Sequence, residues 1–164
     1  MRHIQMFEAF GVQSHLSSDN VASVYHVSIS EIKELTSDPM WFALEKSHSD
    51  EGWFLNALEN DGEAYQYSGR FVGKVGFLYD PEVKAVFDAI DEDPDDYSTE
   101  LVSNPTAEEV MNLKATKALI DAGYDGLIYY DYDPRDFQND LEALIVYNPL
   151  KSIRDWRLVK KASS

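Results

Sequence analysis

The sequence predicts a single α+β domain. Runs with a period of two and runs with a helical period interleave along the chain, without the strict alternation that builds a doubly wound sheet. No repeat or low-complexity linker divides residues 1–164. An apolar content of 44%, with 13% aromatic residues, is enough for one sizeable core in a chain of this length.

Val21 to Val27 alternates as a strand. Ser28 and Glu31 have capping-box spacing, which predicts a short helix over Ile29–Leu35 before "SDP" stops it. "MWFAL" reads as a short apolar strand. In "SDEGWFLNALEN", Trp53, Phe54, Ala57 and Leu58 share one helical face, and Gly62 closes the helix. "RFVGKVGFLYD" reads as one longer strand. Asp80 followed by Pro81 is an N-cap and first-turn pair, predicting a helix to about Ile90, after which "DEDPDDYSTE" reads as a solvated loop. Thr106 and Glu109 form a second capping box, Val110, Met111, Ala118 and Leu119 supply a buried face, and Gly123 ends that helix. "GLIYY" and "ALIVY" are the remaining strands.

Charge and composition exclude several classes. The net charge of −16 is uneven: eleven carboxylates face the single Lys84 between Asp80 and Glu109, whereas Lys151 to Lys161 carries five cations against Asp155. Such a surface repels nucleic-acid phosphates and anionic lipid, so the partner it suits is a basic protein. Without cysteine there is no disulfide and no thiolate metal site. The apolar runs are too short to span a bilayer, and Met1 to Phe10 lacks the apolar core of a signal peptide, so the expectation is a cytoplasmic protein. Asp131, Asp133 and Glu142 match positions 1, 3 and 12 of an EF-hand loop, but Arg135 and Asp136 occupy positions 5 and 6, where glycine is needed for the turn at 6. The four histidines lack zinc-helix spacing, and neither a phosphate-binding glycine loop nor a nucleophile elbow is present. No metal is expected.

"YHVS", then "WFA" about fifteen residues later, a helix with an aromatic, a long strand, and a helix ending in "AGYDGLIYYD" before "EALIVYNPLKSI" follow one another from Val24 to Ile153. This order resembles the ADP-ribosyltransferase family. It is most similar to the histidine-tyrosine-glutamate class and its compact phage-encoded members, which include transferases used as anti-CRISPR proteins. The resemblance rests on order and spacing, since no motif is specific alone. It implies two small, roughly perpendicular β-sheets with flanking helices, a cleft for NAD as substrate, and ADP-ribosyl transfer to a protein acceptor in the cytoplasm of a host cell.

The resemblance also implies roles. His26 corresponds to the histidine that holds a ribose hydroxyl, and Val27 to the residue whose backbone holds the carboxamide, where glycine is usual. Taken alone, His26 reads as a strand histidine satisfied by a nearby carbonyl, and Ser28, beside that site, as a helix cap. Trp41 and Phe42 stand in the family's tyrosine-phenylalanine-alanine strand, with Trp41 replacing the tyrosine that stacks on nicotinamide and lacking its hydroxyl. Trp53, Phe54, Tyr65 or Tyr67 would supply the second stacking face. The acid is Glu142 or Asp131. Glu142 lies near the start of the last core strand but one residue early relative to Tyr147, which reverses its face, while Asp131 follows the glycine-aromatic-x-glycine turn as in phage members. A non-enzymatic alternative is an acidic protein that blocks a nucleic-acid-binding partner by imitating phosphate charge.

Overall fold

The computed structural model describes residues 22–132 and 140–164. In chain order the elements are β1 (Ala22–Ser28), β2 (Met40–Ala43), a π-helical turn (His48–Phe54) running into α1 (Leu55–Asp61), β3 (Glu63–Phe71) and β4 (Val75–Phe77). Helices α2 (Pro81–Ala89), α3 (Pro94–Val102), α4 (Ala107–Asn112) and α5 (Lys114–Asp121) follow. The chain then forms β5 (Gly126–Tyr132), β6 (Asp140–Val146), α6 (Pro149–Ser152) and β7 (Ile153–Ser163). The class is mixed α+β. No helix among the described residues is long and apolar enough to cross a membrane.

All seven strands hydrogen-bond in the order β4-β5-β6-β2-β1-β3-β7, so one mixed sheet stands where two separate ones were expected. β4 and β5 run parallel and the other pairs are antiparallel. The sheet is nevertheless built as two halves. Among the described residues the β1–β2 ladder consists of the single pair Tyr25 and Ala43, whereas β1 pairs with β3 along its whole length. β2 is short and pairs fully with β6, which leaves one residue pair as the seam.

The halves curl over each other. Phe71 of β3 and Phe77 of β4 come from strands near opposite ends of the sheet order, yet both belong to one buried cluster with Val24, Phe42, Ile128, Leu144 and Ile153. A flat sheet would hold them apart. The outer face of the β4-β5-β6-β2 half is covered by the helices from α2 to α5, through Leu78, Val83, Phe87, Tyr97, Leu119 and Tyr129. α1 covers part of the other half through Phe54, Ala57 and Ala64. Each fully buried large side chain contributes roughly 1.5–3 kcal/mol by its removal from water.

Five of the expected elements are corrected. The segment 29–35 is not a helix: the Ser28 hydroxyl accepts from the Ser30 amide at 3.2 Å, and the Ile32 amide donates to the Tyr67 hydroxyl at 2.6 Å, so local and tertiary bonds take the donors a first turn would use. The long strand over Arg70–Asp80 is broken at Val72–Lys74, where Gly73 has φ 150° and an added Cβ would lie 2.7 Å from the Asp125 carboxylate. The acidic loop is largely the helix α3, capped by Asp93, whose side chain accepts from the Asp95 amide, and anchored by the buried Tyr97 and Leu101. The helix read over Ser49 to Asn60 begins as a π-helical turn. The Thr106–Glu109 capping box forms in full, but the single helix read from there to Gly123 is two, α4 and α5, divided at Leu113, whose backbone is extended at φ −68° and ψ 136°. Gly62 and Gly123 end their helices at φ 78° and 93°.

Candidate active site

The seam between the halves opens into a cleft. Beyond Tyr25 and Ala43 the ladder between β1 and β2 gives out, and a cavity of about 270 Å³ lies there, lined by His26, Val27 and Trp41 from the parting strands. Trp53 from the π-helical turn, Tyr129 and Asp131 from β5, and Leu101, Val102 and Asn104 at the end of α3 complete it. Four residues singled out as candidates from distant parts of the sequence, His26, Trp41, Trp53 and Asp131, therefore share one site.

His26 sits across the seam. Its Nδ1 is 2.7 Å from the Trp41 carbonyl oxygen, and its ring lies 5.7 Å from that of Phe42 and 6.4 Å from that of Trp156. Burial lowers its pKa below the usual value, and the carbonyl contact opposes this only in part. A carbonyl can only accept, so the neutral ring carries its proton on Nδ1 and presents Nε2 as an acceptor. The carbonyl expected for a merely structural histidine is present, and it fixes the tautomer that a hydroxyl ligand requires.

Trp41 and Trp53 both pack against the outer core while lining the cleft. The Trp41 indole N–H is buried without a hydrogen-bond partner, a state that costs about 1–3 kcal/mol. A ligand acceptor placed in the cleft would relieve it. The Trp53 indole N–H donates to Asp131 Oδ2 at 3.2 Å. Of the other aromatics considered for a second stacking face, Tyr67 is buried and stacked on Trp156 at 4.7 Å, and Phe54 is buried beneath the Lys160 ammonium. Tyr65 does not line the cleft, which leaves Trp53.

The register separates the two acids. Tyr130 pairs with Glu142 and Asp131 with Leu141, so the two carboxylates leave opposite faces of the sheet. Asp131 enters the cleft. Glu142 does not line it; burial, with the Glu45 charge nearby, raises its pKa. Tyr129, two residues before Asp131 on the same face, is held far above its ordinary pKa by burial and then by the Asp131 charge, so it remains a neutral hydroxyl. Phe42 is fully buried in the inner core, behind His26 rather than in the cleft, as strand alternation from Trp41 requires. Ser28 does not line the cleft, its hydroxyl being engaged by Ser30.

Sequence reasoning did not find Tyr129, the end of α3 or Asn104. Asn104 precedes Pro105 and has φ 60°, the turn signal available for it, since asparagine tolerates this left-handed conformation better than most residues. Among the described residues no group of carboxylates and histidines is placed to hold a metal ion. Asp133, Arg135 and Asp136 of the EF-hand comparison lie outside the described residues.

No family model, curated protein or solved structure matches the chain.

Proposed function

We propose that the protein is an NAD-dependent ADP-ribosyltransferase acting on a protein acceptor, its curled two-part sheet being a compact form of that family's fold. The observation that carries this reading is the meeting of His26, Trp41, Trp53 and Asp131 in one cleft at the seam of the sheet. Its volume is just below that of common small-molecule pockets, which suits the nicotinamide riboside half of NAD with the rest of the dinucleotide lying along the open surface.

In this reading Trp41 and Trp53 flank the nicotinamide ring, and the partnerless Trp41 N–H donates to an acceptor on the substrate. His26 Nε2 accepts from a ribose hydroxyl, and the Val27 backbone meets the carboxamide. The bond between the ribose C1′ and the nicotinamide nitrogen breaks, and its electron pair leaves with neutral nicotinamide. The positive charge that develops on the ribose lies beside Asp131, whose carboxylate stabilises it. A nucleophile of the acceptor protein then bonds to C1′ and loses its proton to solvent. The resemblance to phage transferases points to a host or defence protein as acceptor.

Isotope-labelled NAD incubated with the protein and host lysate tests this. A labelled band made by the wild type and absent with Asp131→Asn supports transfer; a lysate unlabelled under all conditions opposes it.

A second reading rests on the groove of about 730 Å³ lined by Asp88, Asp91, Glu92, Asp93, Asp96 and Glu100. It takes the fold as an inert scaffold whose acidic face occupies a basic, nucleic-acid-binding partner. Stabilisation by such a partner with no response to NAD would favour it.

A further inference from the structure

We propose that His48, a residue outside the roles assigned above, is the positioning residue of Asp131, paired with it so that the acid's charge and orientation depend on the His48 ring. The inference deepens the transferase reading and rests on it for its catalytic consequence; the pairing itself does not.

His48 is 1% exposed, and its Nε2 lies 3.9 Å from Asp131 Oδ2, the oxygen that also receives the Trp53 indole N–H at 3.2 Å. The His48 and Trp53 rings meet edge to face, with centroids 4.9 Å apart. Imidazole, indole and carboxylate thus form one cluster that extends from the interior to the cleft wall. Backbone geometry makes this arrangement. His48 and Trp53 are five positions apart, and at 3.6 residues per turn an α-helix would set them about 140° from each other. The segment is π-helical instead, with i→i+5 bonding that brings positions five apart to one side, and such turns are rare and concentrated at functional sites.

Several charged groups lie near His48 among the described residues. On its own segment Asp50 is engaged by Lys46 at 2.7 Å and by Lys160 of β7 at 3.0 Å, and Glu51 is exposed. From β3, Gln66 donates to Ser49 and Asp50. Asp131 faces the ring, with Oδ2 3.9 Å from Nε2. A cationic His48 would hold Asp131 ionised and oriented, the state in which it can face a positive ribose.

The test follows the His48 ring nitrogens by NMR through a pH titration of the wild type and of Asp131→Asn. The expected result is a midpoint lower by about one unit in the variant, because an opposing charge this close raises a histidine pKa by about that much. A midpoint unmoved by Asp131→Asn, or a ring that stays neutral throughout the titration of the folded wild type, overturns the pairing. Neither result depends on transfer activity, so failure of the transferase reading would be seen separately as absent turnover. With turnover present, His48→Phe should lower kcat about tenfold at unchanged KM for NAD, and His48→Gln should restore most of it. Equal kcat in both variants would contradict positioning.

Discussion

Trp53 donates its indole N–H to Asp131 across 78 residues of sequence, and both side chains line the cleft. This bond ties the π-helical turn, which packs against the β1-β3 side of the sheet, to β5 of the other half. The wall of the cleft at the seam is therefore held by a specific contact as well as by packing.

Asp131→Asn keeps the shape of this contact and removes the charge. Transfer and NAD hydrolysis should fall by about a hundredfold or more, the usual loss on removing a preorganised electrostatic stabiliser, with far less change in NAD affinity. Glu142→Gln should retain transfer. Because burial raises the Glu142 pKa, removing that charge should also leave thermal stability unchanged or slightly higher. Kinetics and melting curves of the two variants, measured side by side, check the assignment, and loss of activity in Glu142→Gln alone would move the acid to the other face.

His26→Ala should weaken NAD binding or turnover by on the order of 1 kcal/mol or more, the cost of one hydrogen bond to a ligand. The pKa depression adds a pH signature. Below about pH 6.5 the unfolded chain takes up a proton at this histidine that the folded state resists, so stability falls as the pH drops through that window toward the lowered folded value. Denaturant unfolding at pH 7 and at pH 5.5 should show a smaller difference for His26→Ala than for the wild type. An identical difference would mean that His26 titrates normally.

How much of this could be read from the sequence depended on whether a segment has one environment. β2, β5 and β6 were legible because they carry runs of buried apolar residues, β1 because its residues alternate, and the start of the helix after Thr106 because both halves of its capping box are explicit. β7 was missed. It is an edge strand, exposed at most positions, so its residues follow no period of two. α3 was hidden by its charges, which outnumber the two apolar anchors, although Asp93-Pro94 is a helix-start signal. Of the candidates, His26, Val27, Trp41, Trp53 and Asp131 line one cleft while Ser28, Phe42 and Glu142 do not, and the sequence offered no choice between the acids, since Asp131 and Glu142 are separated by strand register alone. Nothing in "SHSDEGWF" announced a π-helical turn, and with it His48 went unnoticed.

Asp50 holds that turn in place. Burial works against its charge, but hydrogen bonds from Lys46, Gln66 and Lys160 prevail and set its pKa at about 2. A depressed carboxylate pKa contributes stability above its unfolded value of about 3.9 and loses it as the pH falls toward the folded value. Asp50→Asn should therefore lower stability at pH 7 by on the order of 1–2 kcal/mol. The gap from the wild type should close between about pH 4 and pH 2. Unfolding curves across that range decide it; a constant gap would place the effect in packing instead.

The acidic groove should steer a basic acceptor. Asp93 caps α3 and Asp95 accepts from the Tyr79 hydroxyl at 2.7 Å, so these two are best left intact. Asp91→Asn, Glu92→Gln, Asp96→Asn and Glu100→Gln together should slow modification of the protein acceptor and flatten its salt dependence, with NAD hydrolysis almost unchanged. Asparagine also tolerates the φ of 56° at position 91. A parallel loss of both reactions would show that α3, whose end borders the cleft, acts by shaping it.

The central claim is that the seam cleft takes NAD, and a calorimetric titration of NAD into the protein tests it most directly. Saturable binding at one site per chain, weakened about fivefold or more by Trp41→Ala and by His26→Ala in variants that remain folded, is the predicted result. Absence of binding at millimolar NAD, or binding that neither substitution changes, would contradict it.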